Sequence, residues 1–147
     1  MTMKFVPFVL VSLFAACKAQ LAPLEPVPFA QLPDQTCRVT DFSADSDNQR
    51  FIEGNLAKRF DITWTPSGFS VFSTSPAFSS GTSLFIVTAT DETTLYATEQ
   101  SILRDQIDST MTIAREVTGG QRSAQFTSTV IATSASNVWT LTCRSAT

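Results

Sequence analysis

The sequence has no histidine and few charged residues. Histidine is the commonest general base and transition-metal ligand, so its absence removes the usual routes to acid–base catalysis and metal binding. Charged residues make up 16% of the 147 residues and the formal net charge is -3, which argues against nucleic-acid binding. Only 5 glycines accompany 12 phenylalanines, a composition that predicts one folded domain rather than a disordered chain.

A short apolar run lies near the amino terminus. It extends from Phe5 to Ala16 behind Lys4, and small residues surround Cys17. The run is shorter than the roughly 20 residues that a membrane-spanning helix needs. This is the plan of a secretory signal peptide, so we expect export. Two cleavage positions are open: after Ala19 by ordinary signal peptidase, or before Cys17.

The segment Leu13-Phe14-Ala15-Ala16-Cys17 resembles the lipobox of bacterial lipoproteins. Three places before the cysteine, Phe14 stands where these proteins usually have an aliphatic residue. The resemblance implies cleavage before Cys17 and lipidation of that cysteine. In such lipoproteins an aspartate after the cysteine favours the inner membrane, and this chain has Lys18. The resemblance therefore implies an outer-membrane lipoprotein facing the periplasm, with a soluble secreted protein as the alternative.

A proline-rich stretch follows. Four of the 7 prolines lie between Pro23 and Pro33, and such a segment is extended rather than helical. We therefore divide the chain into a signal peptide (1–16, or 1–19 with ordinary signal peptidase), a lipidated cysteine and proline-rich tether (17–36), and a β domain (37–147).

Three cysteines are an odd number for an exported protein. Either cleavage leaves Cys37 and Cys143 as the remaining pair, and we predict a disulfide between them. That bond would close a loop of roughly a hundred residues. Two unrelated buried thiols are the alternative. No C-x-x-C spacing indicates a redox or zinc site.

From Cys37 onward, apolar residues alternate with serine and threonine, which is typical of β-strands. The best hairpin signal is the turn at 65–68 between 60–64 and 69–72. We expect about eight strands, beginning with 37–42 and ending with the pair 126–132 and 138–143. The predicted fold is all-β, an antiparallel sandwich or small eight-stranded barrel. A meander is the simplest topology. Residues 83–88 are apolar on both faces, which predicts a central strand or one that bridges two layers.

Two segments favour helix instead. Ile52, Leu56 and Phe60 recur at intervals of four, which predicts one short helix over about 48–60, capped by Asp45 or Ser46. Residues 101–108 carry Leu103 and Ile107 in the same spacing and could form another turn or two.

Candidate sites are few, and each has a structural explanation. The first candidate is a group of oxygen ligands that could bind calcium: Asp41, Asp45, Asp47 and Asn48. The glycine and glutamate of the EF-hand pattern are missing here, so helix capping is the better interpretation. The second candidate is a group of acidic residues that could supply a carboxylate pair for glycoside hydrolysis: Asp91, Glu92 and Glu99. Positions in turns and on exposed strand faces explain these residues equally well. Trp64 and Trp139 alternate within strands, which favours core packing over ligand stacking. We therefore predict no catalytic residue, no metal and no cofactor, and assign no ligand-binding residue.

Binding is the function that this pattern favours. The preferred hypothesis is a non-catalytic, envelope-anchored lipoprotein, attached to the membrane by its lipid and binding an envelope protein or a small apolar ligand. The plan also resembles the membrane-bound lysozyme-inhibitor lipoproteins, small barrels whose first and last strands share a disulfide, as Cys37 and Cys143 would. That resemblance implies inhibition of a lysozyme-like hydrolase, with an acidic domain docking on a basic enzyme. A third hypothesis is a carrier of the calycin sort, with phenylalanines lining an apolar interior.

Overall fold

Eight antiparallel strands and one short helix build the domain. The computed structural model describes residues 21–147, so the predicted signal peptide and Cys17 lie outside the described residues. The elements are β1 (Gln35–Ala44), α1 (Gln49–Leu56), β2 (Arg59–Thr65), β3 (Gly68–Thr74), β4 (Gly81–Thr90), β5 (Thr94–Glu99), β6 (Ile107–Ala114), β7 (Arg122–Val130) and β8 (Ala135–Ser145).

Each strand pairs with its neighbour in sequence, and β1 pairs with β8 to close a barrel. This confirms the all-β prediction with its eight strands and one helix, and of the two predicted architectures it selects the barrel. Within residues 21–147, no helix is both long and apolar enough to cross a membrane.

Inward-facing aromatic rings occupy much of the barrel interior. Phe69 stacks on Phe85 with ring centroids 5.3 Å apart, and Phe126 stacks on Trp139 at 4.8 Å. Edge contacts connect these pairs, because Phe126 lies 5.8 Å from Phe85 and 6.0 Å from Phe60. Such offset and edge-to-face contacts are those that aromatic rings prefer. The alternating phenylalanines of the sequence thus pack against one another.

The two ends of the barrel differ in their connections. The loops after β1, β3, β5 and β7 lie at one end, with α1 among them, and we call it the helix end. The shorter β2–β3 and β4–β5 turns and the β6–β7 loop lie at the other, which we call the turn end. At the helix end, Phe51 of α1 packs on Phe42 with ring centroids 5.8 Å apart. Trp139 Nε1 donates to Asn55 Oδ1 at 3.2 Å, which ties the helix to the barrel.

The helix is shorter than predicted. It begins after Asn48, whose side chain accepts from the Phe51 amide at 3.1 Å, so the predicted caps at Asp45 or Ser46 were wrong. It ends at Leu56, which is exposed. Phe60 instead points into the barrel from β2. Strand pairing wins there because Phe60 alternates with Ile62, and a helix reaching 60 would remove the start of β2 from its pairing with β1.

Other boundaries also differ from the expectations. Residues 101–106 form turns, with Gln106 and Ile107 amides both donating to the Leu103 carbonyl at 2.8 Å, and Ile107 begins β6. The last hairpin turns at 131–134, not 134–137, because Ser136 and Asn137 already pair with β7. The predicted central strand over 83–88 belongs to β4. A closed barrel has no central strand, so Leu84 on its outer face is exposed.

The predicted hairpin between β2 and β3 is present, and Gly68 shows why its turn needs glycine. A Cβ at this position would lie 1.9 Å from the Phe85 carbonyl oxygen on β4. Backbone atoms cannot move aside without breaking the β3–β4 pairing, in which Gly68 lies opposite Ile86.

Gly68→Ala is therefore expected to lower the free energy of unfolding by about 1–3 kcal/mol, the usual cost of overpacking. Gly81→Ala is the matched control, because a Cβ there meets nothing within 4 Å. Urea unfolding followed by tryptophan fluorescence measures both. Equal midpoints for the two variants would contradict the close approach at Gly68.

The proline-rich segment does not hang free of the barrel over residues 21–34. Val27, Phe29 and Leu32 pack against the core. The Val27 amide donates to the Val87 carbonyl at 2.9 Å, and Trp64 Nε1 donates to the Pro33 carbonyl at 3.1 Å. The segment is extended, as its prolines require, but residues 27–33 of the predicted tether (17–36) are attached to the domain. The first strand accordingly begins at Gln35, before the predicted Cys37.

Candidate binding site

A groove on the outer face of the barrel crosses β1, β2 and β8. Its volume is about 270 Å³. Three arginines and two threonines dominate its lining, and we call it the arginine groove: Thr36, Cys37, Arg38, Arg59, Thr142 and Arg144.

Strand register brings these residues together from distant parts of the chain. Arg38 lies opposite Arg59 on β2 and opposite Thr142 on β8. Thr36 lies opposite Arg144. Because successive side chains of a strand point to opposite faces, the inward direction of Cys37 sends both of its neighbours outward. The pairing of the first strand with the last therefore gathers three guanidinium groups on one face.

The groove concentrates positive charge on a protein of net charge -3. All three arginines are exposed. Arg38 and Arg59 are directly opposite like charges, an arrangement that destabilises a strand pair. The nearby carboxylate of Asp61 accepts from Thr36 Oγ1 at 2.8 Å. Guanidinium groups bind carboxylate or phosphate through paired hydrogen bonds, so an anion here would offset the repulsion.

A disulfide lies directly behind the groove. Cys37 and Cys143 are opposite residues of β1 and β8, joined through their sulfurs, with Cα atoms 3.9 Å apart. Both are buried. The bond covalently fixes the seam at which the barrel closes, and it thereby holds Arg38 and Arg144 in register on the opposite face.

At the helix end, Lys58 lies against aromatic rings. Its Nζ is 4.8 Å from the centroid of Trp139 and 5.4 Å from that of Phe78. Burial lowers the pKa of Lys58. These contacts are cation–π interactions that cover the end of the core.

At the turn end, Arg122 is buried and caps the interior. Its Nη1 donates to the Ala114 carbonyl at 2.8 Å and also to the Arg115 carbonyl. Burial, and secondarily the charge of Arg115, lower the pKa of Arg122. Because its donors are used on backbone carbonyls that close the β6–β7 loop, Arg122 has a structural role.

The carboxylates that were considered for glycoside hydrolysis do not form a catalytic pair. Asp91 Oδ1 accepts from the Thr93 and Thr94 amides at 2.7 and 2.8 Å, and these hydrogen bonds lower the pKa of Asp91. A carboxyl with a lowered pKa is a poor general acid at neutral pH. Asp91 and Glu92 also precede β5 whereas Glu99 ends it, and at about 3.3 Å per strand residue this exceeds the spacing that glycosidases use.

The aspartates near α1 are also separated. Asp41 lies on β1, and Asn48 caps the helix. Over residues 21–147, no group of three or more histidine, cysteine, aspartate or glutamate side chains is arranged to hold a metal ion. Both tryptophans contact the core, Trp139 being buried and Trp64 half-buried.

Sequence reasoning missed the arginine groove. Strand alternation alone shows that each arginine points outward, but it does not show that the three lie together. Their proximity depends on the pairing of β1 with both β2 and β8.

The protein is a closed, eight-stranded antiparallel barrel with a disulfide between its first and last strands and the arginine groove on its outer face. No protein-family model matches the chain, and neither a curated protein nor a solved structure shows significant similarity to it.

Proposed function

We propose that this protein is an exported lipoprotein that is anchored through Cys17 and binds, without catalysis, a carboxylate-rich segment of a partner protein in the arginine groove. The anchor is inferred from the lipobox-like residues 13–17, and placement at the outer membrane from Lys18. The observation that carries the binding role is the convergence of Arg38, Arg59 and Arg144 on one outer face.

The packing of the interior favours an outer binding surface over an internal ligand. Phe60 and Phe69 are almost completely buried, and the rings of Phe85, Phe126 and Trp139 contact them or each other. A carrier of apolar ligands needs a cavity lined by apolar groups, whereas these apolar groups are in mutual contact.

The chemistry of the groove favours carboxylates in a peptide. All eight strands are paired on both sides, so a partner does not bind by adding a strand to a free edge. Recognition therefore depends on side chains, and the three guanidinium groups of the groove are donors without an acceptor, which suits them to carboxylate oxygens. The three arginines are exposed, so the side chains of a bound peptide can reach them.

Binding of a fluorescein-labelled hexaglutamate peptide, followed by anisotropy at low salt, tests the groove. The triple variant Arg38→Gln/Arg59→Gln/Arg144→Gln is expected to weaken binding by about 3- to 100-fold, since each exposed ionic contact contributes about 0.2–1 kcal/mol. Added salt should weaken wild-type binding as well.

Arg50→Gln is the matched control for the single variant Arg38→Gln, because Arg50 is an exposed arginine on α1 and both changes remove one charge. Arg50→Gln should leave the affinity close to that of wild type, whereas Arg38→Gln should lower it. Equal losses in these two single variants would indicate a general charge effect and contradict a specific groove.

Labelled palmitate incorporation in a bacterial host tests the anchor. Wild type is expected to incorporate label and remain in the membrane fraction, and Cys17→Ser is expected to do neither. Equal labelling of the two proteins would contradict Cys17 as the anchor. No labelling of wild type, with a mature chain beginning at Gln20, would support the secreted alternative.

A further inference from the structure

An apolar surface lies at the helix end of the barrel, where the described chain begins. Of the twelve large hydrophobic side chains that are exposed within residues 21–147, six belong to Leu21, to the β5–β6 and β7–β8 connections, or to the strand ends beside those connections. We call this surface the apolar rim: Leu21, Ile102, Leu103, Ile107, Val130 and Ile131.

Contacts join the β5–β6 loop, which carries Ile102 and Leu103, to the other residues of the rim. Ile107 and Val130 are register partners at the ends of β6 and β7. The Ile131 amide donates to the Gln106 carbonyl at 2.9 Å, which joins the β7–β8 turn to the β5–β6 loop. Leu21 and Ile131 line one groove. Ile102, at the tip of the loop, is 98% exposed.

The amino-terminal chain is held at this rim. Arg104 donates through Nη2 to the Ala22 carbonyl, and residues 27–33 are attached further along the barrel. Cys17 is four residues from Leu21, and a chain of that length spans at most about 14 Å. A lipid on Cys17 therefore enters the bilayer within about 14 Å of the rim.

From this short connection, we propose that the apolar rim docks on the lipid bilayer surface, with Ile102 inserted among the lipids. The inference rests on the proposed lipidation of Cys17. Exposed apolar patches rimmed by polar residues are typical of interaction surfaces. Two aspartates and one arginine flank the rim, Asp105, Asp108 and Arg104, so the local charge is not positive and apolar insertion, rather than attraction to anionic lipids, holds the rim there. The arginine groove on the side of the barrel stays accessible to a partner.

The test uses the full lipoprotein in phosphatidylcholine vesicles with a bimane label at one introduced cysteine. Ile102→Cys places the label on the rim, and Thr118→Cys places a matched label on the exposed β6–β7 loop at the turn end. Both native cysteines of the barrel are in the disulfide. The Ile102→Cys label is expected to be quenched several-fold more by nitroxide lipids than the Thr118→Cys label, and to be protected from aqueous iodide.

The experiment distinguishes failure of the lipid anchor from failure of the docking. Mass spectrometry of the amino-terminal peptide first establishes whether Cys17 carries acyl chains. Their absence would overturn the anchor and the docking with it. Acyl chains with equal quenching of the two labels would overturn the docking alone. Protection of the Ile102→Cys label from iodide without quenching by nitroxide lipids would mean that a protein surface covers the rim, which also overturns the docking.

Discussion

The double variant Cys37→Ser/Cys143→Ser is expected to unfold with a free energy about 4–5 kcal/mol lower than that of wild type. The two residues are separated by 106 positions, and the chain-entropy estimate for a loop of about 100 residues is about 4.7 kcal/mol. The loss acts mainly through the unfolded state, since in the unfolded chain the bond limits how far the first and last strand segments can separate. The barrel itself should persist, because the aromatic core and the β1–β8 hydrogen bonds remain.

Urea unfolding of wild type and the double variant, with and without reductant, measures this effect. Reductant should lower the stability of wild type to near that of the double variant and leave the double variant unchanged. Both proteins carry Cys17→Ser, so that neither the proposed lipid nor a third thiol contributes to the comparison. A non-reducing digest in which Cys37 and Cys143 are both free and alkylatable would contradict the bond.

Trp139→Ala is expected to lower the free energy of unfolding by about 3–5 kcal/mol, the range found when large buried aromatic side chains are truncated. Trp139 is 5% exposed and lies within 6.4 Å of Phe42, Phe60 and Phe126 by ring centroids. It also holds α1 through Asn55 and packs beneath Lys58. The neighbouring strands are held by barrel pairing and cannot fully collapse into its space.

Trp139→Phe separates ring burial from the hydrogen bond. It keeps an aromatic ring but leaves the buried Asn55 Oδ1 without its donor, a loss of about 1–3 kcal/mol. Thermal unfolding should therefore place Trp139→Phe between wild type and Trp139→Ala. Both variants having the stability of wild type would show that the helix end contributes little to the fold.

Strand patterns could be read from the sequence, but their ends could not. Leu95 and Ala97 point inward and Tyr96 outward, as alternation predicts. Gly119 and Gly120 both have positive φ in the β6–β7 loop. By contrast, the helix spacing and the strand alternation both included Phe60, and no local feature decided between them. Boundaries of this kind depend on a competition between helix and sheet partners that are distant in sequence.

By itself the sequence determined the β class, the number of strands and the pairing of Cys37 with Cys143, because alternation and cysteine count are local or countable properties. Only the tertiary structure decided that the sheet closes, since closure requires β1 to pair with β8 across nearly the whole chain. The same long-range pairing places Arg38 beside Arg59 and near Arg144. It likewise required a folded chain to bring Leu21 to Ile131, because no sequence pattern encodes which distant surfaces meet.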